Sequence, residues 1–358
     1  MARRTAYTSS LALAATLALS VLVARGARGL ELRQVTRPYL HSEGPSWDRA
    51  HNGLLFVDIA GDSLHFYDAA TGGVRGLAFE GPVTPAIQLP GGTLAVGVGR
   101  TLQEVDWAAS GFGAVLASRP AVLATVDQDK PGNRFNDGAA DSLGRMWIGT
   151  MGPEPVVGQV TPNQGSLFRI TRRRSDADPL WSRLVDPRGH RDTDGGAALV
   201  TTALANVSIS NGLVFNRRET LMYYIDTPTR RVDVFDYNLA AGTIANRRPA
   251  FDLAANNVEG NPDGMAIDAD DNLWVACFGG SQVIHVDPRT GRLLRRVAIP
   301  ASQVTAVALG GPRDAQGGDT LYVTSMRKGL SEDQLLLEPN AGAVFAVTGL
   351  GVRAQRRP

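Results

Sequence analysis

The chain has few lysines, one cysteine and little net charge. Of its 36 Lys and Arg residues only Lys130 and Lys328 are lysine, and the formal net charge is +1 over 358 residues. Because the arginines are scattered and balanced by 35 acidic residues, no overall positive field favours nucleic acid or an anionic membrane surface. The single cysteine, Cys277, excludes an intramolecular disulfide, and its apolar neighbours predict a buried strand.

Familiar catalytic signatures are also missing. The sequence contains no G-x-S-x-G elbow, no Walker A loop, no H-E-x-x-H motif and no Rossmann glycine pattern. The five histidines are dispersed, and His65 and His285 lie within strand-like patterns that predict structural roles. An arginine-rich, glycine-rich stretch over about 171–200 predicts a solvated loop. Nucleic acid is therefore not an expected partner.

The N-terminus predicts export. A basic start precedes an apolar run over 10–24, and small residues follow up to Gly26. This pattern predicts a secretory signal peptide over 1–26, with a secreted product; a mitochondrial presequence is the alternative, since no acidic residue comes before Glu31. The run is too short to span a bilayer, so no membrane insertion is expected. Asn206 begins a glycosylation sequon that has meaning only if the chain is exported.

Six segments of the remaining chain repeat one pattern of two short strand-like runs joined by a polar turn. They begin at residues 54, 94, 146, 221, 273 and 321. Alternating apolar runs at a period of about 40–50 residues predict an all-β, six-bladed β-propeller over 27–358, with an insertion at about 171–200. An early run over 30–35 has no partner in the first blade, and we expect it to complete the last blade and close the ring.

An acid or amide lies beside glycine ahead of four of these segments. The motifs are Glu43-Gly44, Asn136-Asp137-Gly138, Asn211-Gly212 and Asp263-Gly264. The inner strands of a propeller line its channel, so the repeats place these side chains in equivalent positions of blades one, three, four and five. Burying two carboxylates and two amides there would cost free energy of folding unless a cation compensated their charge. An all-oxygen set favours Ca²⁺, with Mg²⁺, Mn²⁺ and Zn²⁺ as alternatives. Asn-Gly and Asp-Gly are also ordinary turn dipeptides, but four at one repeat position argue against that interpretation.

The strand order also predicts which loops lie at this site. Turns alternate between the two faces of an antiparallel blade. Residues 152–164 join the second and third strands of blade three, so they should lie on the ligand face and can act as a lid. The 171–200 insertion joins the third and fourth strands and should lie on the opposite face.

At these residues the chain resembles the SMP-30/gluconolactonase/LRE-like family, and within it the regucalcin branch. The similarity covers roughly residues 31–355. Its main stretches are Leu54–Ile59, Asn133–Gly138, Gly149–Met151, Ile209–Leu213, Tyr223–Asp226, Pro262–Met265, Leu273–Cys277 and Val347–Val352.

The resemblance implies one divalent cation in the channel and lactonase activity on aldonolactones. It implies Glu43, Asn211 and Asp263 as metal ligands, with Asp263 also the general base that activates water. Arg134, Asn136 and Glu154 would bind substrate, although the prolines on either side of Glu154 depart from the branch. The metal would polarise the lactone carbonyl.

Three questions stay open at this point. The same site could serve another substrate, as in a luciferin-regenerating or organophosphate hydrolase, or the chain could be a non-catalytic extracellular calcium-binding propeller. The signal peptide and the insertion depart from the intracellular regucalcin-like relatives, so the physiological substrate is undecided. The oligomeric state is likewise not determined by the sequence.

Overall fold

The protein is built from six small antiparallel sheets. The structure, a computed structural model, describes residues 29–172, 198–311 and 318–355. Within these ranges 24 strands form six four-stranded sheets, which confirms the predicted six-bladed β-propeller. The predicted signal peptide, 1–26, lies outside the described residues.

Each blade uses four strands that follow one another in the chain, except where the ring closes. The first three blades are β2 (Ser42–Asp48), β3 (Gly53–Asp58), β4 (Ser63–Asp68) and β5 (Val74–Ala78); β6 (Val83–Gln88), β7 (Leu94–Val98), β8 (Thr101–Val105) and β9 (Ala121–Thr125); and β10 (Arg134–Ala140), β11 (Met146–Met151), β12 (Gly165–Arg172) and β13 (Ala198–Val207). The other three are β14 (Ser210–Phe215), β15 (Leu221–Asp226), β16 (Arg231–Asn238) and β17 (Thr243–Asp252); β18 (Asn261–Ile267), β19 (Leu273–Phe278), β20 (Gln282–Asp287) and β21 (Arg292–Ala298); and β22 (Val304–Gly310), β23 (Thr320–Ser325), β24 (Phe345–Thr348) and β1 (Glu31–Gln34).

The N-terminal strand closes the ring. Strand β1 pairs antiparallel with β24, with Leu32 opposite Val347, so the first described strand is the outer strand of the last blade. This confirms the expectation for residues 30–35. The pairing covers the edge that β24 would otherwise expose and ties the two ends of the propeller together.

The core lies between neighbouring blades. The buried apolar residues form six clusters, and each cluster joins two adjacent sheets around the ring. Cys277 is fully buried in β19, as predicted, and burial raises the pKa of its thiol to about 12. His285 stacks on Trp274 and its Nε2 lies 2.9 Å from an oxygen of Asp268, which confirms a structural role for this histidine.

Helical structure is minor. The α-helix α1 (Glu332–Leu337) follows a capping box formed by Ser331 and Gln334, and short 3₁₀ turns occupy Ala108–Ser110 and Thr227–Thr229. In the part of the chain that the structure describes, no helix has the length and apolar character needed to cross a membrane.

The ends of the predicted 171–200 insertion are ordered strand. Thr171 pairs with Leu199 and Arg172 pairs with Ala198, which leaves 173–197, outside the described residues, as the connection between β12 and β13. The strand pairing of blade three thus extends into both ends of the stretch predicted as the insertion.

Candidate functional site

Each inner strand has a β-bulge near its start. The pairing of inner and second strands shifts register in all six blades, between Phe135 and Gly138 in blade three, for example. A bulge locally re-aims a side chain, and bulges are common beside functional sites. The first residues inside the bulges of blades three, four and five are Asn136, Asn211 and Asp263.

Glu43 is offset from this set by one residue. It pairs with Val57 just before the bulge of blade one, and Gly44 takes the place that Asp263 has in blade five. The expectation that all four residues are equivalent is therefore wrong for Glu43. The Glu-Gly and Asp-Gly motifs look alike in sequence, but the register shift differs by one position. The longer glutamate side chain still interacts electrostatically with Asp263.

Hydrogen bonds orient the two amides. The Asn211 Nδ2 donates to Thr227 Oγ1 at 2.8 Å, and Asn211 Oδ1 accepts from Asn136 Nδ2 at 3.3 Å. Asn136 Nδ2 also donates to the carbonyl of Ser210 at 2.8 Å. The Asn211 NH₂ group is held by Thr227 and also donates to the Asp263 carboxylate, so the amide oxygen of Asn211 is left facing the Asn136 NH₂ group.

Burial and mutual repulsion dominate the electrostatics of the carboxylates. Glu43 and Asp263 are 6% and 8% exposed. Burial, and then the nearby negative charges, raises the pKa of Glu43 well above its ordinary value; burial and the charge of Asp137 do the same for the pKa of Asp263. Neither forms an ion pair within 4.0 Å with any residue that the structure describes.

Arg134 and Glu154, the residues for which the resemblance implies substrate binding, interact with this group. Arg134 Nη1 donates to Asn136 Oδ1 at 2.7 Å, and its charge interacts with Glu154, Glu43 and Asp263. Burial lowers the pKa of the guanidinium, and the three acids oppose that effect. Glu43, Arg134, Asn136, Asn211 and Asp263 are thus linked by hydrogen bonds or by electrostatic interactions, and the exposed Glu154 interacts with the charge of Arg134; their roles in binding and catalysis stay predictions.

The 152–164 loop crosses towards the opposite side of the mouth. It joins β11 to β12 on the face that carries the site, as expected for a lid. Glu154 Oε1 accepts from the Gly158 N–H at 2.7 Å, which fixes the loop's turn. A Cβ on Gly329 of blade six would lie only 2.8 Å from Val157 Cγ1, so the loop from blade three contacts blade six.

Sequence reasoning missed two residues of this site. Burial raises the pKa of Asp137, half-buried beside Asn136, to about 6. Burial, with the charges of Arg134 and Lys328, lowers the pKa of His41 to about 3. The Asn-Asp-Gly triplet was a signal for Asp137, since it offers two polar side chains where the other motifs offer one. No sequence signal marked His41.

A cavity of about 560 Å³ continues along the channel behind the site. Gly44, Asp137 and Gly264 line one end, and Arg49 and His51 line the other. The site thus lies at one end of a channel, and residues of all six inner strands, large ones such as Trp47 and Met265 included, line the walls between the two ends.

The donor set fits a hard cation. No group of three or more His, Cys, Asp or Glu within the described ranges is arranged as a metal cluster, so a metal here would draw on amide oxygen as well as carboxylate. Glu43 and Asp263 supply two buried, mutually repelling carboxylates without an ion-pair partner, and Asn211 supplies an oriented amide oxygen. A divalent cation would compensate that charge, and oxygen ligands are the preference of Ca²⁺ and Mg²⁺.

The fold and this site define a six-bladed β-propeller with an acid, amide and arginine cluster at one mouth of its channel. The chain belongs to the SMP-30/gluconolactonase/LRE-like family, whose model matches residues 41–327. Human regucalcin is 36% identical over 312 residues, which covers 87% of this chain and 91% of that protein.

Solved structures agree with this assignment. A luciferin-regenerating enzyme is 31% identical with a TM-score of 0.76, covering 92% of this chain and all of the other. A protein from Agrobacterium tumefaciens, described as the calcium-binding protein regucalcin, has a TM-score of 0.73 at 24% identity, covering 91% of this chain and 95% of the other. At that identity the second similarity shows the fold alone.

Proposed function

We propose that the protein is a metal-dependent hydrolase of sugar lactones. Family membership supports a lactonase-type or related hydrolase. The observation that carries the finer proposal is the convergence of Glu43, Asn211 and Asp263 beside Arg134 in one channel mouth. An ion with a purely structural role needs only its ligands. It would not require the positively charged Arg134, which donates to Asn136 beside the proposed ligand Asn211.

Three residues would hold the metal: Glu43, Asn211 and Asp263. Ca²⁺ is the first candidate because all three offer oxygen, and Mg²⁺, Mn²⁺ and Zn²⁺ remain candidates. When bound, the ion would supply Lewis-acid polarisation of the lactone carbonyl and stabilisation of the developing oxyanion, worth several kcal/mol in such sites.

The protein's own residues bind the lactone and move the proton. Asp263 accepts the proton of the attacking water at a carboxylate oxygen, as a general base. Arg134 donates to one substrate hydroxyl, the Asn136 Oδ1 accepts from a second, and Glu154 on the 152–164 loop accepts from a third. Closure of that loop against Gly329 excludes bulk water from the mouth, which strengthens each of these polar contacts.

The test is hydrolysis of D-glucono-δ-lactone by metal-stripped protein with each of the four metals restored separately. We expect activity to return with metal in the wild type. Asp263→Asn should lose activity by at least about 10³-fold, the upper scale of general-base effects. Asp270→Asn, an exposed aspartate of the same blade, is the matched control and should retain wild-type activity. Glu154→Gln should mainly raise KM, because it contacts substrate and not the reacting water.

Two results would redirect the proposal. Hydrolysis by Asp263→Asn at the wild-type rate would refute the assigned base. A folded, metal-binding protein that cleaves no aldonolactone would overturn the substrate class. Related ester substrates would then be tested, because this chain is also similar to a luciferin-regenerating enzyme over that protein's whole length. Failure on those substrates too would favour a non-catalytic calcium-binding role.

A further inference from the structure

A second cavity lies on the same face of the propeller, outside the channel. Its volume is about 410 Å³, and it lies between the chain entering blade one, the β3–β4 turn and the loop after β23. Arg37, Leu40, Asp58, His65 and Arg327 are among the residues that line it. None of these is a member of the site described above.

Backbone contacts fix the walls of this cavity. The carbonyl of Leu40 accepts the N–H of Arg327 at 3.1 Å, which joins blade six to the entering chain. The carboxylate of Asp58 accepts the N–H groups of Leu40, His41 and Gly61 at 2.8–3.2 Å. Both carboxylate oxygens of Asp58 therefore accept hydrogen bonds from the backbone, although the charge of Asp58 remains near the cavity.

Two arginines at the cavity lack a carboxylate partner. Neither Arg37 nor Arg327 has an ion pair within 4.0 Å among residues 29–172, 198–311 and 318–355, whereas Arg145, Arg231 and Arg247 do. The Arg37 guanidinium lies over the ring of Tyr39, 4.3 Å from its centroid, which holds it at the cavity wall. Guanidinium groups bind phosphate and sulfate oxygens with paired N–H donors.

Beside the Asp58 carboxylate, Ser63 and His65 form a polar part of the cavity lining that carries no charge. The Ser63 Oγ lies 2.9 Å from His65 Nε2, and His65 is 8% exposed. Burial lowers the pKa of His65 to about 4, so the ring is neutral. The ring fits because residue 76 is glycine, where a Cβ would lie 2.9 Å from His65 Nδ1. The neutral ring donates to the backbone of Arg75 through its other nitrogen, so the Ser63 hydroxyl donates to Nε2, and the contacts with an anion come from the two arginines.

We propose that this cavity binds a small organic molecule through a phosphate or sulfate group held by Arg37 and Arg327. The volume falls in the range of small-molecule pockets, about 300–1,000 Å³, and exceeds the needs of a bare inorganic ion. Leu40, whose side chain is 48% exposed, gives the organic part an apolar wall. The inference does not depend on the proposed lactonase activity.

The test is calorimetric titration of chelator-treated protein with phenyl phosphate and, separately, with inorganic phosphate. Stripping the metal prevents phosphate from binding a channel ion. We expect one site per chain, with phenyl phosphate binding at least tenfold more tightly than phosphate. Arg37→Gln and Arg327→Gln should each weaken binding at least tenfold. Arg292→Gln, an exposed arginine of β21, is the matched control, and Glu43→Gln tests independence from the channel; both should leave the affinity within twofold.

Histidine NMR gives a second readout that a loss of folding would not mimic. With only five histidines in the chain, His65→Asn assigns the His65 ring signals, and phenyl phosphate should shift them while leaving those of His285 unchanged. Absence of saturable binding up to 10 mM, or equal affinities in the Arg327→Gln and Arg292→Gln variants, would overturn the proposal. Equal affinities for phosphate and phenyl phosphate would overturn its organic part and assign the site to a free oxyanion.

Discussion

Gly149 positions the candidate site, and its replacement by alanine gives a sharp test of how blades three and four pack. A Cβ at residue 149 would lie 1.7 Å from Ser210 Oγ and 2.2 Å from Ser210 Cβ. Ser210 is fully buried, its Oγ accepts from Tyr224 at 2.9 Å, and its carbonyl holds the Asn136 amide. Strand β14 must therefore move, and Asn211, the next residue, must move with it.

The expected cost combines overpacking and a strained hydrogen bond. Overpacking a close-packed interior costs about 1–3 kcal/mol, and loss of the Ser210–Tyr224 bond costs about 1 kcal/mol. We therefore expect Gly149→Ala to lower the free energy of unfolding by about 2–4 kcal/mol, measured by denaturant titration. Metal affinity should fall as well, because Asn211 and Asn136 are displaced.

A double variant distinguishes this mechanism from a general loss of stability. Gly149→Ala with Ser210→Gly removes both close contacts, so it should recover at least half of the lost stability. Gly73→Ala is the control, since that glycine lies in an exposed turn where a Cβ would meet only Thr71 Oγ1 at 3.3 Å. The packing argument fails if Gly149→Ala has the same free energy of unfolding as the Gly73→Ala control. It also fails if adding Ser210→Gly restores none of the lost free energy of unfolding.

Three further predictions concern charge, pH and processing. Without metal, Glu43→Gln removes one of two repelling buried carboxylates and should raise the free energy of unfolding, and it should also abolish the stabilisation that Ca²⁺ gives the wild type. Thermal melts with and without chelator measure both effects. A lower melting temperature for the chelated variant than for the chelated wild type would contradict the charge argument. The pKa of His65 is lowered to about 4, so between about pH 4 and pH 6.5 this residue is protonated in the unfolded chain and neutral in the folded protein. The free energy of unfolding should therefore rise with pH over this range, by at most about 3 kcal/mol from His65. His65→Asn should lose this contribution to the pH dependence, and an equal pH dependence in the variant and the wild type would contradict the argument. We also expect N-terminal sequencing of exported protein to begin directly after Gly26, and a start before residue 20 would refute the predicted cleavage.

Much of the fold followed from the sequence because a propeller repeats its pattern. Alternating apolar runs at regular spacing predicted all six blades and their middle strands. The unpaired run before blade one predicted the closing strand β1, now seen against β24. The loop predicted over about 171–200 has strand residues at its two ends, since Thr171 and Arg172 pair with Leu199 and Ala198.

The members of the site were predictable, but their exact registration was not. Acid-glycine and amide-glycine motifs at the inner strands picked out Asn136, Asn211 and Asp263, which do share one bulge position. Glu43 reaches the site from the residue before the bulge, and only strand pairing reveals that offset. The sequence also gave no sign that the charge of Arg134 acts on His41, because the two residues are distant in the chain.

By itself, the sequence determined the architecture, the closing strand and the identity of the channel-mouth residues, because periodicity and local motifs are properties of short stretches of chain. The tertiary structure decided what depends on neighbours distant in sequence. It placed Val157 of the loop against Gly329, buried Glu43 beside Asp263 and so raised their pKa values, and left Arg37 and Arg327 at one cavity without a carboxylate partner within the described chain. Burial and charge arise from the sum of such distant contacts, which no local pattern contains.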